Sequence, residues 1–123
     1  MRPVLVKFHL SVAEFDVLAT LRNAPSPHEM TPTQIQDEVV ITSGGLTKVM
    51  FQLEARGLVA RFRSESDLRV KPVRLSTSGK KLIEIAMKEI VSVTGAWFRR
   101  ALNKKELGKL TAMLKRVVET PQT

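Results

Sequence analysis

The segment GLVARFRSESDLRVKPVRLS, residues 57–76, constrains the fold more than any other. LVARFR and VKPVRLS read as two short strands around the polar tip SESD, because β-branched and apolar residues alternate with polar ones and turn formers fill the gap. A lone two-stranded hairpin is not stable in water, so the surrounding helices must supply a surface for it. Val59, Val73 and Leu75 are placed to face that surface, and alternation sends Arg74 to the other side. Pro72 predicts an edge position, since proline cannot donate to a ladder.

Helix-start signals surround the hairpin. Ser11 with Glu14 forms a capping box ahead of Phe15, Leu18, Ala19 and Leu21. APSPHE breaks that helix with two prolines. Thr31 caps a short second helix, with Pro32 in its first position, Gln34 closing the box, and Ile35 and Val39 facing inward. A third helix starts at Thr42 or Ser43 and stops at Gly57, a candidate left-handed residue. Its inner stripe is Leu46, Val49, Met50 and Leu53. Its other face carries Gly44, Lys48, Phe51, Gln52 and Ala55, with Thr47 at the margin. Gly44 and Gly45 cost that helix about 1 kcal/mol each relative to alanine, which close packing or close approach of DNA would offset. A long helix runs from Ser76 to about Arg100, apolar over more than one face through Leu82, Ile83, Ile85, Ala86, Met87, Ile90 and Val91. Asn103 and Glu106 box the last helix, which bears the stripe Leu107, Leu110, Met113, Leu114, Val117 and Val118.

The fold class is therefore mainly α with a small β-hairpin: a winged helix-turn-helix lobe over 11–76, then a long helix and a C-terminal helix over 77–119 for dimerisation, within one domain of 1–123. In such a lobe the third helix enters a major groove and the wing reaches the neighbouring minor groove.

Charge agrees with that reading. The chain has 20 Lys and Arg against 12 Asp and Glu, a net of +8. Residues 1–40 are net −2, whereas 56–81 hold eight basic groups against Glu65 and Asp67, a net of +6. A basic surface so concentrated suits a polyanion such as DNA, RNA or anionic lipid, where the plain alternative is a solvated face. No apolar run is long enough to cross a membrane, and the N-terminus is too short and interrupted for a signal peptide. The chain has no cysteine, which removes disulfides, thiol chemistry and Cys-based zinc sites and fits a cytoplasmic location. His9 and His28 lack ligand spacing, and a site could be completed only by carboxylates such as Glu14 or Glu29. No metal, cofactor or catalytic residue is expected, because no nucleophile–base set or phosphate-cradling loop is present.

With SGGLTKVMFQLEARGLVAR, SDLRVKPVRLSTSGKKL and LNKKELGKLTAMLKRV in view, residues 10–118 resemble the multiple-antibiotic-resistance regulator (MarR) family of bacterial winged-helix repressors. The resemblance implies a homodimeric transcriptional regulator, a repressor, on a pseudo-palindromic operator in double-stranded DNA, released by a small aromatic or phenolic effector. It implies base and phosphate contacts from Ser43, Gly44, Gly45, Thr47, Lys48 and Gln52, with Thr31 and Thr33 at a helix cap near the DNA. Arg61, Arg63, Lys71 and Arg74 would meet phosphates, Arg69 would enter the minor groove, and Asp67 would hold it. Ile90, Trp97, Phe98, Leu110, Leu114 and Val117 would join the subunits. Lys48 stands where the family favours Arg, which forgoes the bidentate fork for guanine. Leu68 stands where the family often has a second Arg. Phe51 stands where the family is usually polar, and a thymine methyl, a sugar or a neighbouring side chain could receive it. The family's long first helix is shortened to ten residues before Ser11, Pro3 among them. Either the chain is truncated there or dimerisation relies on the last two helices. The alternative is a winged helix that binds protein or RNA without an operator.

Overall fold

The computed structural model describes residues 2–62 and 71–121; Arg63, Asp67, Leu68 and Arg69 lie outside the described residues. The elements are α1 (Arg2–Lys7), α2 (Val12–Asn23), β1 (Glu29–Met30), α3 (Pro32–Glu38), α4 (Ser43–Ala55), β2 (Val59–Arg61), β3 (Val73–Leu75), α5 (Thr77–Ala101) and α6 (Lys104–Glu119). The chain divides into two units, Met1–Glu89 and Ile90–Thr123, so α5 runs through the boundary.

In the first unit, the predicted caps set the helix starts. Ser11 Oγ accepts from Glu14 N at 3.1 Å, and Glu14 Oε1 accepts from Ser11 N at 2.9 Å. Thr31 and Gln34 repeat the exchange for α3, and Pro32 occupies the first turn, where its missing N–H costs no bond. Thr42 caps α4, accepting from Gly45 N. At the far end of α4, Gly57 has φ +70°. Leu58 N donates to Leu53 O and Gly57 N to Glu54 O, the two bonds of a Schellman stop.

The core joins Val17, Leu18 and Leu21 of α2 to Ile35, Leu53, Val73 and Ile83, one or more from each facing element, all with negligible exposure. The α4 stripe of Leu46, Val49, Met50 and Leu53 is buried as its spacing predicts. On α2 the buried set is Glu14, Val17, Leu18 and Leu21; Phe15, expected inside, is half-buried.

Three features differ from the sequence reading. Residues before Ser11 form a six-residue helix that buries Val4 and Leu5; Pro3 is harmless in its first turn. A short strand, β1, adds to the hairpin, giving the antiparallel order β1-β3-β2. Glu29 and Met30 register with Arg74 and Val73, and Val59 and Arg61 with Leu75 and Val73. β3 is thus central, not an edge. Pro72 is compatible because it precedes the strand, and its carbonyl accepts from Phe62 N, so no ladder donor is missing.

The start of α5 is locked to the end of α4. Ser76 N donates to Leu58 O, Ser76 Oγ donates to Gly57 O at 2.7 Å and accepts from Gly79 N at 2.9 Å. Gly79 is buried. A Cβ there would lie 2.0 Å from the Leu58 carbonyl oxygen, so glycine lets the helix touch that backbone.

In the second unit, α6 begins with the predicted Asn103–Glu106 box. It buries no residue; Met113, Leu114, Val117 and Val118 are all exposed. On the last turns of α5, Trp97 and Phe98 are exposed, and their rings lie tilted at 55° with 6.0 Å between centroids.

Candidate nucleic-acid interface

The amphipathic spacing of α4 fixes one face on the core, and the other is left to solvent. Ser43, Gly44, Thr47, Lys48, Phe51 and Gln52 are exposed, and Gly45 is half-buried. The two glycines have different reasons. A Cβ on Gly45 would lie 3.0 Å from Thr42 Oγ1 and 3.2 Å from Ile41 Cγ1, so the cap itself requires a small residue. A Cβ on Gly44 would meet nothing within 4 Å, so packing among the described residues does not account for that glycine. The Thr47 hydroxyl donates back to Ser43 O at 3.0 Å, which leaves its methyl and lone pairs outward. Thr31 holds the start of α3 by its capping box, and Thr33 is exposed in the same first turn.

At the base of the wing, Arg61 and Lys71 are exposed, and Arg61 Nη2 donates to Lys71 O at 3.2 Å. That bond sets both cations on one end of the hairpin. Among the described residues no carboxylate pairs with Lys48, Arg61 or Lys71. Arg74 differs. Its Nη2 pairs with Glu29 Oε1 at 3.2 Å, and its guanidinium lies 4.4 Å above the Phe62 ring. Its buried Nε has no partner. Cation–π contact and ion pair hold Arg74 against its own sheet, where it ties β1 to the wing. Sequence reading placed Arg74 with the phosphate contacts. It missed Glu29 and Phe62, whose pairing depends on a strand only two residues long.

Arg56 is likewise engaged. Its Nη1 donates to His9 O at 2.7 Å and its Nη2 to Phe8 O. His9, at φ 54°, ends α1 in the left-handed conformation, and Arg56 satisfies carbonyls that a helix end leaves open. Arg56 and Arg74 therefore do structural work within the +6 segment. No local signal marks them, since both partners are distant in the chain.

His28 contacts Ala24 O through Nδ1 at 2.8 Å. Among the described residues no cluster of His, Asp or Glu could hold a metal ion, and no helix is long and apolar enough to cross a membrane.

Ile90, Leu110, Leu114, Val117, Trp97 and Phe98 belong to the second unit. Leu114, Val117, Trp97 and Phe98 are exposed, and Ile90 and Leu110 are half-buried.

A family model described as the MarR family matches residues 10–71. The regulator PecS of Dickeya dadantii, an HTH-type transcriptional regulator, is 36% identical over 88 residues. That match covers 72% of this chain and 53% of PecS, so the chain spans about half the length of this relative. A mutant of MarR from E. coli superimposes with TM-score 0.85 at 25% identity, covering 94% of this chain and 83% of that one. A mutant of the same protein complexed with operator DNA gives TM-score 0.71 at 25% identity, covering 94% and 80%.

Proposed function

The chain belongs to the MarR family, and we propose that it regulates transcription as a homodimer on a pseudo-palindromic operator. The exposed face of α4 carries this reading: Ser43, Gly44, Thr47, Lys48 and Gln52 stand in solvent while the opposite stripe is buried. Two copies would set their α4 helices in successive major grooves, about 34–36 Å apart. Thr47, Lys48 and Gln52 would meet base edges and phosphates, and Gly44 would admit the DNA backbone closely. Arg61 and Lys71 would neutralise phosphates at the wing base. Arg63 and Arg69 would extend that contact, Arg69 into the minor groove, with Asp67 steadying it. Arg74 positions the wing through Glu29 and Phe62.

The exposed apolar residues of α6 and of the end of α5 would form the subunit interface. Bound over a promoter, such a dimer would exclude polymerase and repress. A small aromatic or phenolic effector would release it by favouring a dimer with wrongly spaced wings. That effector class is supported by the fold neighbour NadR, whose structure is in complex with 4-hydroxyphenylacetate, at 22% identity and TM-score 0.71. The relatives are transcriptional regulators, and no enzymatic activity or cofactor is part of the reading. A cytoplasmic location follows from the need to reach DNA.

The test is anisotropy titration of the pure chain against labelled duplex at two salt concentrations, with its mass measured in solution. A dimer whose log affinity falls with log salt, by roughly 0.9 per neutralised phosphate, supports the proposal. A stable dimer indifferent to duplex at low salt overturns it in favour of a protein-binding module.

A further inference from the structure

Phe51 sits on the solvent face of α4, and 76% of it is exposed. A phenylalanine left in water forgoes the largest stabilisation a core position could give it, and nothing in the described fold covers this one. The described residues place no aromatic ring or cation against it. Its neighbours on the helix surface at three and four residues are Thr47, Lys48, Glu54 and Ala55, all exposed. The ring therefore stands alone among polar and small groups, unlike the contiguous apolar patch of a protein-docking face.

Gly44, Thr47, Lys48 and Phe51 fall at i, i+3, i+4 and i+7, one line along α4. Helix rise puts Phe51 about 10 Å beyond Gly44, roughly three base-pair steps along a groove. Gly44 marks where backbone could approach, and Lys48 supplies a cation midway. The stretch of sequence that follows α4 is basic, with residues 56–81 net +6. A ring has no donor or acceptor for a base edge. The major groove offers it one apolar target, the C5 methyl of thymine.

We propose that Phe51 is a specificity-determining residue that reads a thymine methyl in each half-site of the DNA. This rests on the DNA-binding reading above and adds to it a base preference. It also gives Lys48 a division of labour: the cation holds phosphate or guanine, and the ring discriminates thymine from cytosine by its methyl.

The experiment begins with duplexes enriched from a random pool by the full-length wild-type chain. Each thymine of the preferred duplex is then replaced singly by deoxyuridine, which removes the methyl and nothing else. Affinities are measured for wild type, Phe51→Ala and Phe51→Leu at one salt concentration. The expected result is one position per half-site where deoxyuridine weakens wild type about three- to tenfold, the size of one lost apolar group. Phe51→Ala is insensitive there, and Phe51→Leu retains part of the effect. If wild type and Phe51→Ala respond alike at every thymine, the inference is overturned while enrichment over random DNA keeps the regulator reading standing. If wild type enriches no duplex at all, the regulator reading fails, and the role of Phe51 with it.

Discussion

Replacing Gly79 with alanine sets two effects of opposite sign against each other. Within a helix, Gly→Ala stabilises by about 1 kcal/mol through propensity and a less flexible unfolded chain. Here the new Cβ would lie 2.0 Å from Leu58 O, 2.9 Å from Leu58 C and 2.9 Å from Leu75 Cδ1. Ordinary contact begins near 3.4 Å, so backbone must retreat by about 1.4 Å. A side chain could swing away, but a backbone carbonyl held by Ser76 N cannot. Overpacking of this kind costs about 1–3 kcal/mol. Retreat also stretches the bond from Ser76 N to Leu58 O and the cap from Ser76 Oγ to Gly79 N, each worth about 1 kcal/mol. The net loss is about 2–4 kcal/mol, a large share of the roughly 5–15 kcal/mol of a typical domain. Urea unfolding followed by circular dichroism reads it directly, as a midpoint lowered by about 1–2 M at unchanged slope. Gly108→Ala is the control, since Gly108 lies within α6 and a Cβ there meets nothing within 4 Å; it raises helix stability by up to about 1 kcal/mol. A Gly79→Ala chain that unfolds at the wild-type midpoint or above would show that α5 does not rest on the Leu58 carbonyl.

Gly44→Ala leaves the unfolding midpoint unchanged or slightly higher, because its surroundings are open, yet weakens operator binding about tenfold or more in an anisotropy titration if DNA backbone approaches there. Leu114→Glu, on the exposed face of α6, shifts the mass in solution from dimer to monomer by sedimentation, through burial of an unpaired charge. Burial raises the pKa of the Asp16 carboxyl above its usual value, so the folded state disfavours its charge. Asp16→Asn therefore raises Tm modestly near pH 7, and the gain disappears as pH falls below the carboxylate range, where aspartic acid is itself neutral.

Much of the first unit was legible because its signals are local. Each capping box lies within four residues, and the structure places Ser11 and Thr31, like Asn103 in the second unit, where their side chains accept the predicted amides; of the two caps the sequence offered for α4, Thr42 is the one used. The α4 stripe was equally clear, since 3.6-residue periodicity sorts its faces without help from the rest of the chain. Features made by distant partners were not legible. β1 is two residues long and exists only by pairing with β3, more than forty residues later. That pairing turned Pro72 from an edge marker into the residue before a central strand. The same distance hid the engagement of Arg56 by the end of α1 and of Arg74 by Glu29, so counting basic residues overstated the charge free for phosphate. The apolar excess of α5 and α6 was visible as pattern, but pattern alone does not say what covers it.

The Ser76 junction bears on how this unit moves. One hydroxyl and one carbonyl serve three elements there: Ser76 Oγ bridges Gly57 O and Gly79 N, and Leu58 O receives Ser76 N. No one of these elements can fray without unlatching the others. The end of α4, the root of the wing and the first turn of α5 therefore open as one cooperative block, with the slow amide exchange of a core segment. The solvent-facing side of α4 is mounted on a base that stays shut while chain ends elsewhere breathe, so its orientation relative to the rest of this unit persists.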